Sequence, residues 1–551
     1  MKKLIIGLSV AGMAFGAQAE ESRYIVKVKQ EAYPQMAYQV KSAQVKHKVI
    51  PAESGLQSGE TMVLSFDSDD EAQAFLSQNK GSIAKVAKDY KVRSFGQWGE
   101  SESDSKQQFF KDFNTDEAYG PTGMGITSAL SRLNKNGTVT MAFFDSGHYP
   151  SEDMEWYLQG FDFTQMDTDT EDRLVDKNGN SCYDGHGLSV ASVAAGIWGN
   201  DYGTRGVLSS DAPEVNVLPI RVTGRLDEDP NFECSDFNPV YGWLSDNSLA
   251  IDWLLGEDIP EAIPYSGEPV NVINMSLGAQ TGECPFYLQE AIDKANAAGI
   301  AVVTAAGNFN DDASLYSPGN CDGVITVGAL TKEAERDEYS NYGQGVTVSA
   351  QGDMVPATIP EPYYGMTYYD ANGTSIAAPL VTASIALAAL DTGVIPDETM
   401  IKAATNPFLM DETLDCDPLD AIDGCLGSGV LSTDKLLTIT RSLKEIKQGT
   451  LVEETDLSEM PCGQSTIEKE KMRILGIDVD EPVLRLPKDI KDYHLESVRV
   501  FEGSTVNGEE VATIEDGISV ALPNHQSGQT YTLLLCYEQG CLLDKGITIT
   551  P

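Results

Sequence analysis

The stretch Val139-Thr-Met-Ala-Phe-Phe-Asp145-Ser-Gly147 decides how the fold of this sequence is interpreted. It is a nearly unbroken apolar run that ends in an aspartate, and a glycine then permits a turn. Similar apolar runs of strand length occur at 215–220, 270–273, 300–304 and 324–327, and helical segments between them at 188–197, 247–255 and 285–298. Near-continuous apolar strands separated by helices are typical of a parallel sheet with helices on both faces. We therefore predict an α/β domain over residues 111–445.

The first residues of the chain have the composition of an export signal. Residues 1–19 combine Lys2 and Lys3 with an apolar stretch and an Ala17-Gln-Ala19 cleavage site, which predicts a signal peptide and an extracellular protein.

The other regions outside 111–445 differ from it in pattern. The pattern of residues 20–110 predicts a small α+β unit, with strands at 24–29 and 62–66, a helix after 70 and a last strand within 83–92. The polar segment 95–115 lacks periodicity and is easily cut if exposed. Residues 450–551 alternate in short runs between turn residues, which predicts a small all-β domain.

The charge balance excludes several classes of partner. The chain has 84 acidic and 38 basic residues, a net charge of −46. A nucleic acid needs clustered basic residues, and an anionic membrane surface repels an acidic protein. We therefore expect neither partner.

Cysteine usage is consistent with export. Nine cysteines are present, and the odd number leaves at least one thiol free or paired between chains. The sequence leaves the connectivity open, with these pairs reasonable: Cys182 with Cys234, Cys284 with Cys321, Cys416 with Cys425, and Cys536 with Cys541.

Three blocks carry candidate chemistry: Phe144-Asp145-Ser-Gly147, Asp184-Gly-His186-Gly, and Asn372-Gly-Thr-Ser375-Ile-Ala-Ala-Pro379. Taken singly, they can be a turn, a structural histidine and a helix cap, with Pro379 tolerated in the first helical turn. Taken together, they supply a nucleophile, a base and an acid that orients the base. Asp145 can orient His186, which can deprotonate Ser375 and later protonate the leaving amine.

These blocks resemble the motifs of the subtilisin-like serine proteases, the subtilases, and the chain order Asp, His, Ser agrees. The resemblance covers about residues 145–430. It implies an oxyanion role for Asn308 in Thr304-Ala-Ala-Gly-Asn308 and substrate binding by Ser276, Leu277, Gly278, Ala305, Ala306 and Gly307. Phe309 and Tyr316 are expected beside the pocket for the residue before the scissile bond. The subtilase pattern usually has Thr and His where this chain has Leu188 and Ser189, which leaves the nearby substrate subsite open.

The resemblance has further implications. The unit at 20–110 resembles a subtilase propeptide, an intramolecular inhibitor and chaperone that the enzyme removes, and we expect self-cleavage between about 95 and 115. A structural calcium ion is a second expectation, with a solvated acidic loop as the alternative. The oxygen-rich cluster is Asp162, Asp167, Asp169, Glu171, Asp172, Asp176, Asn178, Asn180 and Asp184.

The leading hypothesis is a secreted serine endopeptidase that acts on protein or peptide substrates. The alternatives are a non-catalytic subtilase-like binding module and an acyl or peptide transferase that uses the same triad.

Overall fold

The computed structural model describes residues 22–94 except 44 and 51–60, residues 97–98, residues 123–448 with short gaps, and six strands between 483 and 548. The gaps within 123–448 are 157, 225–231, 235–239, 260, 333, 361–367 and 407–425. The predicted signal peptide, most of the polar segment 95–115 and the pair Cys416 and Cys425 lie outside the described residues. The chain divides into two compact units, Met1–Tyr90 and Lys91–Pro551.

The first unit is a four-stranded antiparallel sheet with two helices. Its elements are β1 (Ser22–Val28), α1 (Tyr33–Ser42), β2 (Lys46–Ile50), β3 (Thr61–Phe66), α2 (Asp69–Gln78) and β4 (Ile83–Lys88), and the strand order is β2-β3-β1-β4. The side chain of Ser68 caps α2 by accepting from the backbone N–H of Glu71 at 3.2 Å. Val26, Leu64 and Phe75 belong to one buried core. The sequence analysis missed α1 and β2.

The second unit is built on a nine-stranded sheet. Its first elements are β5 (Lys91–Ser94), β6 (Gln97–Trp98), α3 (Ile126–Ser131), β7 (Val139–Asp145), β8 (Phe161–Asp162), β9 (Leu174–Val175), β10 (Ser181–Cys182), α4 (His186–Ala195), β11 (Val215–Arg221), β12 (Gly242–Trp243) and α5 (Leu244–Leu254). There follow β13 (Val272–Met275), β14 (Leu277–Gln280), α6 (Phe286–Ala297), β15 (Ala301–Ala305), β16 (Tyr316–Ser317), β17 (Ile325–Leu330), β18 (Val348–Gln351), β19 (Val355–Thr358) and β20 (Tyr368–Asn372). The last are α7 (Thr374–Thr392), α8 (Glu398–Ala403), β21 (Thr405–Asn406), β22 (Val430–Leu431) and α9 (Thr433–Gln448).

The strand order of the main sheet is β21-β22-β18-β17-β15-β13-β7-β11-β8, and every neighbouring pair is parallel except β21 with β22. The five predicted strands are neighbours in it. The predicted α/β class with a parallel sheet and helices is confirmed. All seven residues of β7 are buried, which explains the nearly continuous apolar run of the sequence.

Helix α7 runs through the core. Its 19 residues are all buried, and it packs on β7, β13, β15, β17 and β18 and against α4. Its length and apolar composition alone would suffice to cross a bilayer, but complete burial is what a core helix of a globular protein shows.

The same unit also has three smaller sheets in this region, with strand orders β12-β5-β14-β16, β19-β20-β6 and β10-β9. The predicted last strand at 83–92 is therefore two strands. β4 completes the first unit, whereas β5 lies between β12 and β14 in the second. Near the end of the chain, β23 (Val483–Arg485) pairs with β26 (Ser519–Ala521). β24 (Leu495–Glu502), β25 (Glu510–Glu515), β27 (Thr530–Tyr537) and β28 (Gly540–Thr548) form an antiparallel sheet, with Cys536 opposite Cys541.

Candidate active site

Asp145 is the last residue of β7, at the carboxyl edge of the main sheet, and it is 1% exposed. The backbone N–H of Ser146 donates to Asp145 Oδ1 at 2.7 Å, which fixes the carboxylate over the turn. Gly147 has a φ of +109°, and a Cβ there would lie 2.3 Å from the carbonyl oxygen of Thr170. Only glycine fits this turn, because both its backbone conformation and the close approach of the chain exclude a side chain.

His186 is the first residue of α4 and is buried. Its Nδ1 lies 2.7 Å from Asp145 Oδ1. Gly185 has a φ of +79°, and a Cβ on Gly187 would lie 2.3 Å from the carbonyl oxygen of Gly147. The two glycine-containing turns thus pack backbone to backbone, which brings the aspartate and the histidine into contact.

The electrostatics of the pair favour a charged imidazole. Burial alone lowers the pKa of His186, but the negative charge of Asp145 and its hydrogen bond outweigh burial, and Asp184 and Asp172 add to them. The pKa of His186 is therefore raised above its ordinary value. A base with a raised pKa holds a proton well once it has taken it.

Ser375 is the second residue of α7, close to the positive end of the helix dipole. Helix α7 packs against α4, which carries His186 at its start. Three buried atoms, Ser375 Oγ, His186 Nε2 and Asp145 Oδ2, have no hydrogen-bond partner among the described residues. Buried polar atoms are rarely left unpaired, and these are atoms on the three side chains of the predicted triad.

Pro379 lies deeper in the helix than the sequence analysis placed it. It is the sixth residue of α7, so it lies beyond the first turn, and it lacks the N–H that would bond the carbonyl of Ser375. Ser276 Oγ donates to that carbonyl instead, at 2.8 Å. The Asn274 amide donates to Ser276 Oγ at 3.0 Å and accepts from Thr382 Oγ1 at 2.9 Å, which ties the network back to the same helix.

Asn308 follows β15 and Gly307, whose φ is +107°. Its Oδ1 accepts from the backbone N–H of Thr374 at 2.9 Å and from Thr374 Oγ1 at 2.7 Å. Thr374 Oγ1 in turn accepts from the Gly307 N–H at 3.1 Å. These bonds fix the orientation of the Asn308 amide beside the start of α7. Sequence reasoning missed Thr374, although its position next to Ser375 was the available signal.

The predicted substrate-binding residues lie around this centre. Leu277 and Gly278 begin β14, and β5 runs antiparallel to them, with Ser94 opposite Leu277 and Arg93 opposite Gly278. Ala305 and Ala306 are buried at the end of β15. Phe309 is 59% exposed and stacks on Tyr316 with ring centroids 5.1 Å apart.

The residues of the oxygen-rich cluster make different kinds of contact. Asp162 forms a buried ion pair with Arg221 at 3.1 Å. Asp176 accepts from the backbone N–H groups of Asn178 and Asn180, both at 2.8 Å. Within the described part of the chain, no three His, Cys, Asp or Glu residues form a group that could hold a metal ion. The calcium site stays a prediction.

Two of the predicted cysteine pairs are disulfides: Cys182 with Cys234, and Cys284 with Cys321. The first tethers the segment that leads to His186. The second joins the start of α6 to the segment that follows β16.

Residues 134–412 match the model of the subtilase family. An extracellular protease of Xanthomonas campestris pv. campestris is 33% identical over 348 residues, which are 58% of this chain and 55% of that protein. An extracellular basic protease of Dichelobacter nodosus is 36% identical over 205 residues, 37% of this chain and 31% of that protein. Subtilisin DY of Bacillus licheniformis is 34% identical over 211 residues, 38% of this chain and 64% of that protein. The chain thus spans about half or less of the length of the first two relatives.

Proposed function

Because the chain belongs to the subtilase family, we propose that it is a serine endopeptidase that hydrolyses peptide bonds in proteins through an acyl-enzyme on Ser375. The observation that carries this proposal is the 2.7 Å contact between His186 Nδ1 and buried Asp145 Oδ1, beside the helix that begins at Thr374-Ser375. The proposal is also supported by the similarity to relatives that are named as proteases, such as the extracellular protease of Xanthomonas campestris.

The chemistry follows from the roles of the three side chains. His186 Nε2 takes the proton of Ser375 Oγ while that oxygen attacks the scissile carbonyl carbon. The imidazolium is stabilised by Asp145 and then gives the proton to the leaving amine, which departs with the second half of the substrate. Water enters, gives a proton to His186 and attacks the ester carbonyl carbon. When the bond from that carbon to Ser375 Oγ breaks, His186 returns the proton to Oγ, and the acid half of the substrate leaves.

The negative oxygen of each tetrahedral intermediate needs donors. We assign this role to the Asn308 Nδ2 group and the backbone N–H of Ser375. The two hydrogen bonds from Thr374 to Asn308 Oδ1 support the assignment, because they preorganise the amide before the charge develops.

We also propose that the protein is made as a secreted precursor and that residues 20–110 include a removable inhibitory unit. Strands β5 and β6 support a cut near the start of the predicted range. β5 ends at Ser94 beside β14, which begins one residue after Ser276. β6 begins at Gln97, which is opposite Asn372, three residues before the nucleophile. The sequence between the two strands is only Phe95-Gly96, so we place the cut at a bond between Ser94 and Gln97.

This position agrees with the aromatic pair beside Asn308. The exposed ring of Phe309, stacked on Tyr316, offers apolar surface to a substrate side chain next to the oxyanion site. We propose that the enzyme prefers an apolar residue before the scissile bond, and Phe95 is such a residue.

The test compares the wild type with Ser375→Ala, both expressed with the full precursor sequence, and with Ser442→Ala as a matched serine substitution away from the site. We expect the wild type and Ser442→Ala to cleave casein and to begin, after processing, between Phe95 and Gln97 by terminal sequencing. The apolar preference favours Gly96, because Phe95 then precedes the cut. Loss of the nucleophile should lower the rate by roughly 10⁶-fold and leave the precursor uncut.

Casein cleavage by Ser375→Ala would refute the assignment of the nucleophile. If neither protein cleaves and neither reacts with a serine-directed phosphonate, the binding-module hypothesis replaces the protease. A mature chain that starts well beyond residue 98 would refute the proposed cut while leaving the protease intact.

A further inference from the structure

Asp172 is a buried carboxylate that the proposed mechanism does not use. It is 1% exposed and lies in the segment between β8 and β9, before the strands that lead to His186. Burying a carboxylate is unfavourable unless its oxygens are well paired. The hydrogen-bond donors around Asp172 therefore indicate what its carboxylate does in this buried position.

Those partners belong to the two catalytic turns. Asp172 Oδ2 accepts from Ser146 Oγ at 2.9 Å and from the backbone N–H of Gly185 at 2.6 Å. Ser146 Oγ accepts in turn from the N–H of Gly187 at 3.0 Å. A hydroxyl has a single proton, which Ser146 gives to Asp172, so its oxygen is left to receive the Gly187 donor. One carboxylate oxygen thus holds the residue after Asp145 and the residue before His186.

The backbone around Asp172 makes this support rigid. The N–H of Asp172 donates to the carbonyl of His148 at 2.7 Å, and the N–H of His148 donates to the carbonyl of Thr170 at 2.8 Å. The Thr170 carbonyl also occupies the place that a side chain on Gly147 would need. The segment is therefore joined to the turn that follows Asp145 at both Thr170 and Asp172.

The charged or titratable groups that interact with Asp172 include Asp184, Arg221 and His186. Burial and the negative charge of Asp184 raise the pKa of Asp172, whereas the hydrogen bonds from Gly185 and Ser146 and the charge of Arg221 oppose this rise. The negative charges of Asp172 and Asp184 both favour the imidazolium of His186. In the sequence analysis Asp172 was one of the oxygens predicted for calcium, but its Oδ2 faces two hydrogen-bond donors instead.

We infer that Asp172 is a positioning residue of the triad: through Ser146 and the two glycine turns it sets the distance and angle between Asp145 and His186. The inference rests on the proposed protease function. It assigns to Asp172 no contact with the substrate, so its loss should change the rate of the chemical step and leave substrate binding alone.

The test measures kcat and KM on a peptide substrate for the processed wild type, Asp172→Ala, Ser146→Ala and the double variant, with rates normalised to active sites titrated by a phosphonate. Titration counts only folded, competent sites, and Ser146→Ala is the milder change if Asp172→Ala folds poorly. Glu152→Gln is the control, because it removes one exposed negative charge from the loop after Asp145.

Each single variant should lower kcat roughly 10-fold to 100-fold with KM unchanged, since small displacements of catalytic groups have effects of this size. The double variant should be no slower than the slower single variant, because both changes remove the same link. Glu152→Gln should match the wild type.

Normal kcat in Asp172→Ala, a loss that appears in KM, or multiplied losses in the double variant would each overturn the inference. An inactive wild type would instead overturn the proposed function, so the two failures are distinguishable.

Discussion

Replacing Asn308 with alanine tests the oxyanion assignment. Asn308 Oδ1 receives two hydrogen bonds from Thr374, from the backbone N–H at 2.9 Å and from Oγ1 at 2.7 Å. The amide is thus held in one orientation before substrate arrives. Removing it deletes a preorganised donor that acts only when the carbonyl oxygen becomes negative, so the loss should fall on kcat.

The expected fall in kcat depends on which hydrogen bonds each variant removes. Asn308→Ala removes the donor itself, which lowers kcat about 10²–10³-fold, or roughly 3–4 kcal/mol. Thr374→Ala keeps the donor and one of its two restraints. A neutral hydrogen bond contributes about 1 kcal/mol, so kcat should fall only about 5-fold. Thr374→Ser keeps the hydroxyl and should resemble the wild type.

The assay is steady-state kinetics on one chromogenic peptide with titrated active sites, and Asn134→Ala is the control, because Asn134 is an exposed asparagine outside the predicted site. The reasoning would be refuted by an Asn308→Ala variant that keeps kcat within a factor of about 3, or by a rise in KM that accounts for the whole effect. A Thr374→Ala variant slower than Asn308→Ala would also contradict it.

Three further predictions follow from the described residues. Because the pKa of His186 is raised and only the neutral imidazole can act as the base, the acid limb of kcat/KM should lie above about pH 6.5; a midpoint below that value in a pH titration of the wild type would contradict the electrostatic argument. Burial raises the pKa of Asp153 to about 7, so this carboxyl contributes stability that is lost as the pH rises from about 4 to 7. The test compares Ser375→Ala with Ser375→Ala/Asp153→Asn by urea unfolding at several pH values. Between about pH 4 and 7 the free energy of unfolding should fall by up to about 4 kcal/mol less in the protein that carries Asp153→Asn. The same pH dependence in both proteins would contradict the raised pKa of Asp153. Replacing Cys284 and Cys321 by serine opens a link between residues 37 apart, which should lower the free energy of unfolding by about 4 kcal/mol in the same assay, whereas an unchanged midpoint would show that the bond does not stabilise the fold.

Much of the site could be predicted because its chemistry is local in sequence. Each triad residue lies in a short block with glycine beside it, at the end of a strand or the start of a helix. Asn308 also follows a buried strand, but its role was predicted only from the resemblance to the subtilases. Positions of this kind are fixed by backbone conformation, so the residue types indicate candidates, and the resemblance implied their roles. The Asp145–His186 contact agrees with that interpretation, while the catalytic roles await the experiments above.

Other features were missed because their sequence signals are weak or non-local. Helix α1 has only Met36 and Val40 buried, so its apolar pattern is sparse. The predicted strand at 83–92 was divided, because Lys91–Ser94 pairs with residues about 150 and 185 positions later. A local sequence pattern does not indicate which distant strand a segment pairs with.

The sequence by itself indicated the α/β class, the order of the parallel strands along the chain and the three residues of the candidate triad, because burial on both faces of a sheet and tight glycine turns restrict the residue types nearby. It left the cysteine connectivity open among four reasonable pairs, and the structure shows two of them as disulfides. Only the tertiary structure decided which strands became neighbours, that Ser276 replaces the hydrogen bond Pro379 cannot make, and that Asp172 supports the catalytic turns. These depend on contacts between segments that are distant in sequence, and a carboxylate in an acidic loop has the same residue type whether it faces solvent, a cation or a buried hydroxyl.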